Sequence, residues 1–202
     1  MSGQNPAALP PGQIRTVITY LEMTEKPGHA HRPPPAERLS LLRAEGCTVS
    51  FYRYLYNTVG EPWLWEYRRR LSDTELKGII QDPRVEIYVA YVAGVPAGYV
   101  ELDRRTPGIV DIAYFGLIPD FIGRGIGPWL LQWGIDAGWA EANVAKMTVN
   151  TCTFDHPKAL LMYQRAGFRP VRQRENIMAD PRLTGILPRE AAPHIPLAAH
   201  QE

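Results

Sequence analysis

The sequence is short of cysteine, of unbroken apolar stretches and of charge imbalance, and each shortage excludes something. Its 202 residues hold two cysteines, Cys47 and Cys152, too few for a disulfide framework or a cysteine-based zinc site. His29 and His31 lie in a proline-rich loop without partners at ligand spacing, so no metal is expected. No apolar run approaches the roughly 20 residues that span a bilayer, and Met1 to Pro11 lacks the charged start and apolar stretch of a signal peptide. Twenty-two basic and 21 acidic side chains leave a formal charge of +1, which speaks against a dedicated nucleic-acid or anionic-membrane surface. A cytoplasmic enzyme is the expectation.

What is present is an ordinary globular composition, 45% hydrophobic and 21% charged. The length suits one domain with a proper core. We expect that domain over residues 13–186, between a disordered N-terminal tail (1–12) and a flexible C-terminal tail (187–202) rich in Ala, Pro and His. Ile14 to Met23 reads as a first strand from its β-branched and aromatic residues. Residues 26–35, with four prolines and a glycine, read as a loop. Residues 48–59 start a short helix capped by Thr48 or Ser50, and Ser72 to Glu75 has the capping-box spacing of a helix running to about Gln81. Val85–Val92 and Ala97–Leu102 flank a hairpin turn at Ala93 to Pro96, and Ile109–Ile118 is a third strand. From Ile126 the period becomes helical, with Ile126, Leu130, Trp133, Ala137 and Ala140 as the expected buried stripe. Lys146–Cys152 reads as a strand, Pro157–Arg165 as a helix ended by Gly167, and Phe168–Arg174 as the last strand. The pattern predicts a mixed α/β sheet of six or seven strands, mostly antiparallel, with about four helices.

Two segments carry chemistry. Gly123-Arg124-Gly125-Ile126-Gly127 joins a strand to the amphipathic helix. Alternate glycines fold the backbone tightly and leave N–H groups at a helix N-terminus, where an anion is favoured, and Arg124 adds a fixed positive charge. The plainer alternative is a tight strand-to-helix turn. A Walker A loop would need Gly-Lys-Ser/Thr, and a dinucleotide fingerprint would need glycine at position 128, where Pro128 stands. The second segment, Asp155-His156-Pro157-Lys158-Ala159-Leu160-Leu161-Met162-Tyr163-Gln164-Arg165-Ala166-Gly167-Phe168, follows about thirty residues later.

A strand, an Arg-Gly-x-Gly turn, a helix, a strand and then Ala-x-x-x-Tyr-x-x-x-Gly-Phe resembles the GNAT superfamily of acetyl-CoA-dependent N-acetyltransferases, over about residues 85–175. The resemblance implies a sheet with a central V-shaped opening, acetyl-CoA as co-substrate, a small-molecule or peptide amine as acceptor, and direct transfer in a ternary complex. It places backbone groups of Phe115, Gly116 and Leu117 on the pantetheine arm and the turn from Gly123 through Arg124, Gly125, Ile126 and Gly127 to Pro128 on the pyrophosphate. Tyr163 falls at the family's tyrosine, which protonates the departing thiolate; its plainer alternative is packing on the sheet. Ile122 replaces the usual Gln or Arg of the turn, and His156 replaces an Asn that contacts the pantetheine. Asp111 resembles the family's base position, with Glu101 as the other candidate; a hairpin turning about Thr106 would set the two opposite each other. Cys152 is expected to be a core thiol. The aromatic cluster of Trp63, Trp65, Tyr67, Phe51, Tyr52, Tyr54 and Tyr56 falls where the family builds its acceptor pocket, though most of these rings suit a core. A homodimer, a longer acyl chain and a non-catalytic acyl-CoA-binding module stay open.

Overall fold

The computed structural model describes residues 9–28, 33–35 and 38–199; His29, His31 and the first eight positions of the expected N-terminal tail lie outside them. Seven strands form one sheet: β1 (Gln13–Met23), β2 (Leu39–Arg43), β3 (Val85–Val92), β4 (Val95–Asp103), β5 (Ile109–Leu117), β6 (Lys146–Cys152) and β7 (Arg169–Ala179). Their spatial order is β2-β3-β4-β5-β6-β1-β7, with β5–β6 as the parallel pair. Five α-helices accompany them among the described residues: α1 (Val49–Gly60), α2 (Tyr67–Arg70), α3 (Asp73–Ile80), α4 (Ile126–Gly138) and α5 (Ala159–Arg165).

The local signals act as their chemistry dictates. Thr48 caps α1 by accepting from the Phe51 N–H, and Ser72 and Glu75 form a reciprocal capping box on α3; each cap stabilises its helix by about 1 kcal/mol. Ala93 and Gly94, both with positive φ, make the two-residue turn between β3 and β4.

Two expectations need correction, and two elements were not expected. The buried stripe of α4 is not Ile126, Leu130, Trp133, Ala137 and Ala140; it turns toward Trp129, Leu131, Gly134, Ile135 and Gly138 beside Ile126 and Leu130. Glycine is the reason, since a Cβ at Gly134 would lie 3.2 Å from Val100 and one at Gly138 would run into Met147, so the helix settles on the sheet through its smallest residues. β2 and α2 lie in segments without a clean period. Finally, residues 187–199 are not a loose tail. Leu187, Ala191, Ala192 and Ile195 are buried in a cluster with Ile14, Leu64 and Phe154. Arg182 organises the segment: its guanidinium pairs with Asp180 (2.7 Å) and donates to the carbonyls of Ile195 (2.8 Å) and Pro196 (2.9 Å). At the other end of the chain Gly12 donates to the Ala199 carbonyl.

Because the Arg182–Asp180 pair is buried, Arg182→Ala strands a carboxylate and removes the donors for those carbonyls. It is expected to cost about 3–5 kcal/mol in urea denaturation and to expose residues 183–199 to limited proteolysis.

Candidate active site

β5 and β6 pair only from Ile109↔Lys146 to Ile112↔Val149. Beyond that point β5 stays with β4 as far as Leu117, whereas β6 stays with β1 as far as Cys152. A register shift against β4 between Glu101 and Leu102 leaves Ala113 as the extra residue on β5, a bulge that bends the strand where the two part. The gap opens a cleft of about 1060 Å³ lined from both faces of the sheet: Leu117, Leu131 and Tyr163 on one side, Tyr56, Trp65 and Tyr114 on the other. Along it, the edge of β5 that carries Phe115, Gly116 and Leu117 has no strand beside it, and unpaired backbone groups at such an edge bind an extended polar chain.

One end of the cleft is the glycine turn. Gly123 (φ 85°) and Gly125 (φ 78°) are left-handed, and Gly125 is the N-cap of α4. Gly123, Gly125, Gly127 and Pro128 line the cleft. The N–H groups of residues 123–127 are bonded to no acceptor among the described residues, which leaves a set of donors at the positive end of a thirteen-residue helix. Pro128 has no N–H, so the donors end at Gly127 and Pro128 shapes the wall alone. Ile126 is buried in the core and can offer only its backbone. The Arg124 guanidinium lies 5.1 Å from the centroid of the Phe121 ring, outside the cleft lining. Ile122 lines the cleft with an aliphatic side chain.

Tyr163 lines the cleft as well. Its ring packs edge-on against Phe115 and Phe168, 6.2 Å between centroids in each case, and its hydroxyl has no hydrogen-bond partner among the described residues. Burial first, then the charges of Asp155 and Asp111, push the phenol above its ordinary range, so it stays protonated as a donor. His156 lines the cleft and its Nδ1 accepts from the Lys158 N–H (3.1 Å), with the ring against Trp63. Cys152 also borders the cleft, half-buried, and burial raises its thiol, the opposite of an activated nucleophile.

The two expected bases are placed otherwise. Glu101 faces Tyr114, and Asp111 faces Asp103, because the hairpin turns about Pro107 and not Thr106, so the two carboxylates are not opposite each other. Glu101 is fully buried beside the cleft floor, accepting from Tyr52 and pairing with Arg68 at 2.7 Å. Asp111 accepts from the Thr148 hydroxyl; burial raises its carboxyl, the Thr148 bond opposes this, and Asp103 adds to it. Neither side chain lines the cleft. The carboxylates that do are Glu66 and Asp155. Asp155 was visible as the residue just past a strand end and before His156-Pro157, but nothing in the spacing marked it.

The sequence profile of the Acetyltransferase (GNAT) family matches residues 50–168, more than half of the chain. The protein belongs to this family. Solved structures of similar fold include a functionally unknown conserved protein from Staphylococcus epidermidis (19% identity, 84% of this chain and 63% of that one, TM-score 0.55). Another is a GCN5-related N-acetyltransferase from Sphaerobacter thermophilus (16% identity, 83% and 51%, TM-score 0.56). A third is an aminoglycoside acetyltransferase from an uncultured soil metagenomic sample (13% identity, 64% and 87%, TM-score 0.52). At these identities the likeness is one of fold. The chain spans 63% and 51% of the lengths of the first two. No curated protein matches the sequence. The GNAT region thus takes in the cleft wall from α1 to α5, while β1 and β7 lie outside the matched residues.

The left-handed glycines give a direct check on the turn. Gly123→Ala meets no atom within 4 Å and pays strain alone, about 1–2 kcal/mol. Gly125→Ala adds a 3.2 Å approach to Pro35 and is expected to lower the melting temperature further than Gly123→Ala.

Proposed function

We propose that the protein transfers the acetyl group of acetyl-CoA to a primary amine by direct attack within a ternary complex. The observation that carries this is the unpaired, protonated Tyr163 hydroxyl in the cleft, between an open strand edge and a donor-rich helix N-terminus. In this reading the N–H groups from Gly123 to Gly127 take the pyrophosphate, Pro128 and Ile126 shape and fix the turn, and the Arg124 charge adds to its field. The backbone of Phe115, Gly116 and Leu117 holds the pantetheine, with His156 at its flank. The thioester then lies beside Tyr163.

The amine nitrogen bonds to the thioester carbonyl carbon, the carbon–sulfur bond breaks, and the sulfur leaves with its electron pair. The nitrogen gives up its surplus proton to solvent as the amide forms, solvent in turn reprotonating Tyr163. Tyr163 donates its proton to that sulfur as charge builds there. A phenol near pKa 10 and a thiol near 8.5 make the donor the weaker acid in water, so the transfer runs toward the thiolate only as far as the developing charge demands, which is what general-acid help at a leaving group requires. The acceptor, with an ordinary amine pKa near 10.4, must shed a proton before attack. Since Glu101 is locked into its ion pair and Asp111 is bound to Thr148 outside the lining, we assign that proton to solvent in the cleft rather than to either side chain.

Tyr163→Phe is expected to reduce kcat by about 10² to 10⁴ in a CoA-release assay, with the thermal shift given by acetyl-CoA unchanged. Because the phenol is raised by burial, the wild-type rate is expected to show no Tyr163-dependent fall between pH 8 and pH 10. A saturating acetyl-CoA concentration that leaves the melting temperature unmoved would remove the proposal, since a ligand bound to the native state must stabilise it.

A further inference from the structure

We infer that the acceptor is a small monoamine carried on a flat aromatic or otherwise apolar body, which docks as its ammonium on Asp155 and attacks once that nitrogen has lost its proton to solvent. The inference rests on the acetyltransferase reading above and concerns the part of the cleft lined by Trp63, Trp65 and Asp155.

That part is built around Trp65. The indole sits on two glycines: a Cβ at Gly60 would lie 2.5 Å from the Trp65 side chain, and one at Gly116 would meet Val59 at 2.5 Å and the indole at 3.6 Å. Tyr56 and Tyr114 pack on it with centroids 5.5 and 5.2 Å away, and on each other at 5.0 Å. Leu64, left-handed at φ 56°, turns the chain so that Trp63 and Trp65 both line the cleft. Trp63 in turn is held edge-on between His156 and His194, 5.4 Å from each. These are fixed planar surfaces, and fixed aromatic walls select a flat apolar ligand.

Charge narrows the class further. Glu66 lines the cleft but is paired with Arg70 one helical turn on. Asp155 forms no ion pair among the described residues; neither Lys158 nor Arg165, which also line the cleft, pairs with it. It is held by neutral donors alone. Oδ1 accepts from the Trp65 indole N–H (3.2 Å), and Oδ2 accepts from the Thr151 hydroxyl (2.8 Å) and the Cys152 N–H (2.8 Å). A carboxylate has about four lone-pair sites, so three donors leave one acceptor site and a full negative charge, against the same indole that forms the wall. One unbalanced carboxylate among aromatic rings suits one cation. A polycation would bring charges for which the walls offer no partner. The charge of Asp155 also acts on the Tyr163 phenol, which puts the anchor within electrostatic range of the proton donor.

The test compares kcat/KM for phenethylamine and tryptamine with spermidine, an aminoglycoside and a lysine-containing peptide, using the full chain and saturating acetyl-CoA. The aryl monoamines are expected to be preferred at least ten-fold, and phenethylamine to compete at least ten-fold more tightly than the neutral 2-phenylethanol. Asp155→Asn is expected to raise the amine KM at least ten-fold with the acetyl-CoA KM unchanged. Trp65→Phe, which removes the indole N–H and keeps a ring, is expected to give a smaller rise. Equal or better turnover of the polycation or peptide, or equal competition by the alcohol, overturns the inference while acetyl-CoA binding and Tyr163 dependence leave the parent reading standing. Absence of any acetyl-CoA thermal shift overturns both.

Discussion

The parting of β5 from β6 after Ile112↔Val149 is the constraint on which the rest of this structure depends. A parallel pair that stayed closed would run its hydrogen bonds to the ends of both strands, and no cleft would cross the sheet. Here each strand is held on its outer side, β5 by β4 and β6 by β1, so neither needs the other beyond four residues. The side of β5 left without a strand neighbour becomes an open edge along the cleft, and the bulge at Ala113 swings Tyr114 to the face of α1 while Phe115 stays with the core of α4 and α5. One extra residue therefore aims the aromatic wall, while the centring of the hairpin on Pro107 sets Asp111 against Asp103 and away from Glu101.

A buried charged network supports that wall from beneath. Glu101, fully buried, pairs with Arg68 and accepts from Tyr52, while the Arg68 guanidinium lies 5.2 Å from the Tyr114 centroid and the Arg68 N–H donates to the Tyr56 hydroxyl. Desolvation raises the Glu101 carboxyl, and Arg68 and Tyr52 act against it. Two rings of the cleft, Tyr56 and Tyr114, are thereby fixed by contacts made outside it. The C-terminal segment supports the same wall from another side, since Leu64 shares its cluster with Leu187, Ala191 and Ile195.

Much of the framework was readable because it follows short-range rules. The capping box at Ser72, the Ala93-Gly94 turn, the β1 run and the glycine turn before α4 each declare themselves within a few residues. The stripe of α4 was misread because its contact face is made of Gly134 and Gly138, which a hydrophobicity pattern does not register. Composition does not reveal the order of residues 187–199, because a single residue, Arg182, gathers their carbonyls and composition is blind to one long-range anchor.

From the sequence alone came the family likeness, the donor turn and the tyrosine, since each is a motif whose parts lie close along the chain. Tertiary structure decided which carboxylates border the cleft, and which of them is left without an ion pair among the described residues. Asp155 and Trp65 are 90 residues apart, and Glu101, near Asp111 in both sequence and sheet, is spent on Arg68. A side chain's charge is available to a ligand only when its neighbours leave it so, and those neighbours are set by strand register and packing, not by spacing along the chain.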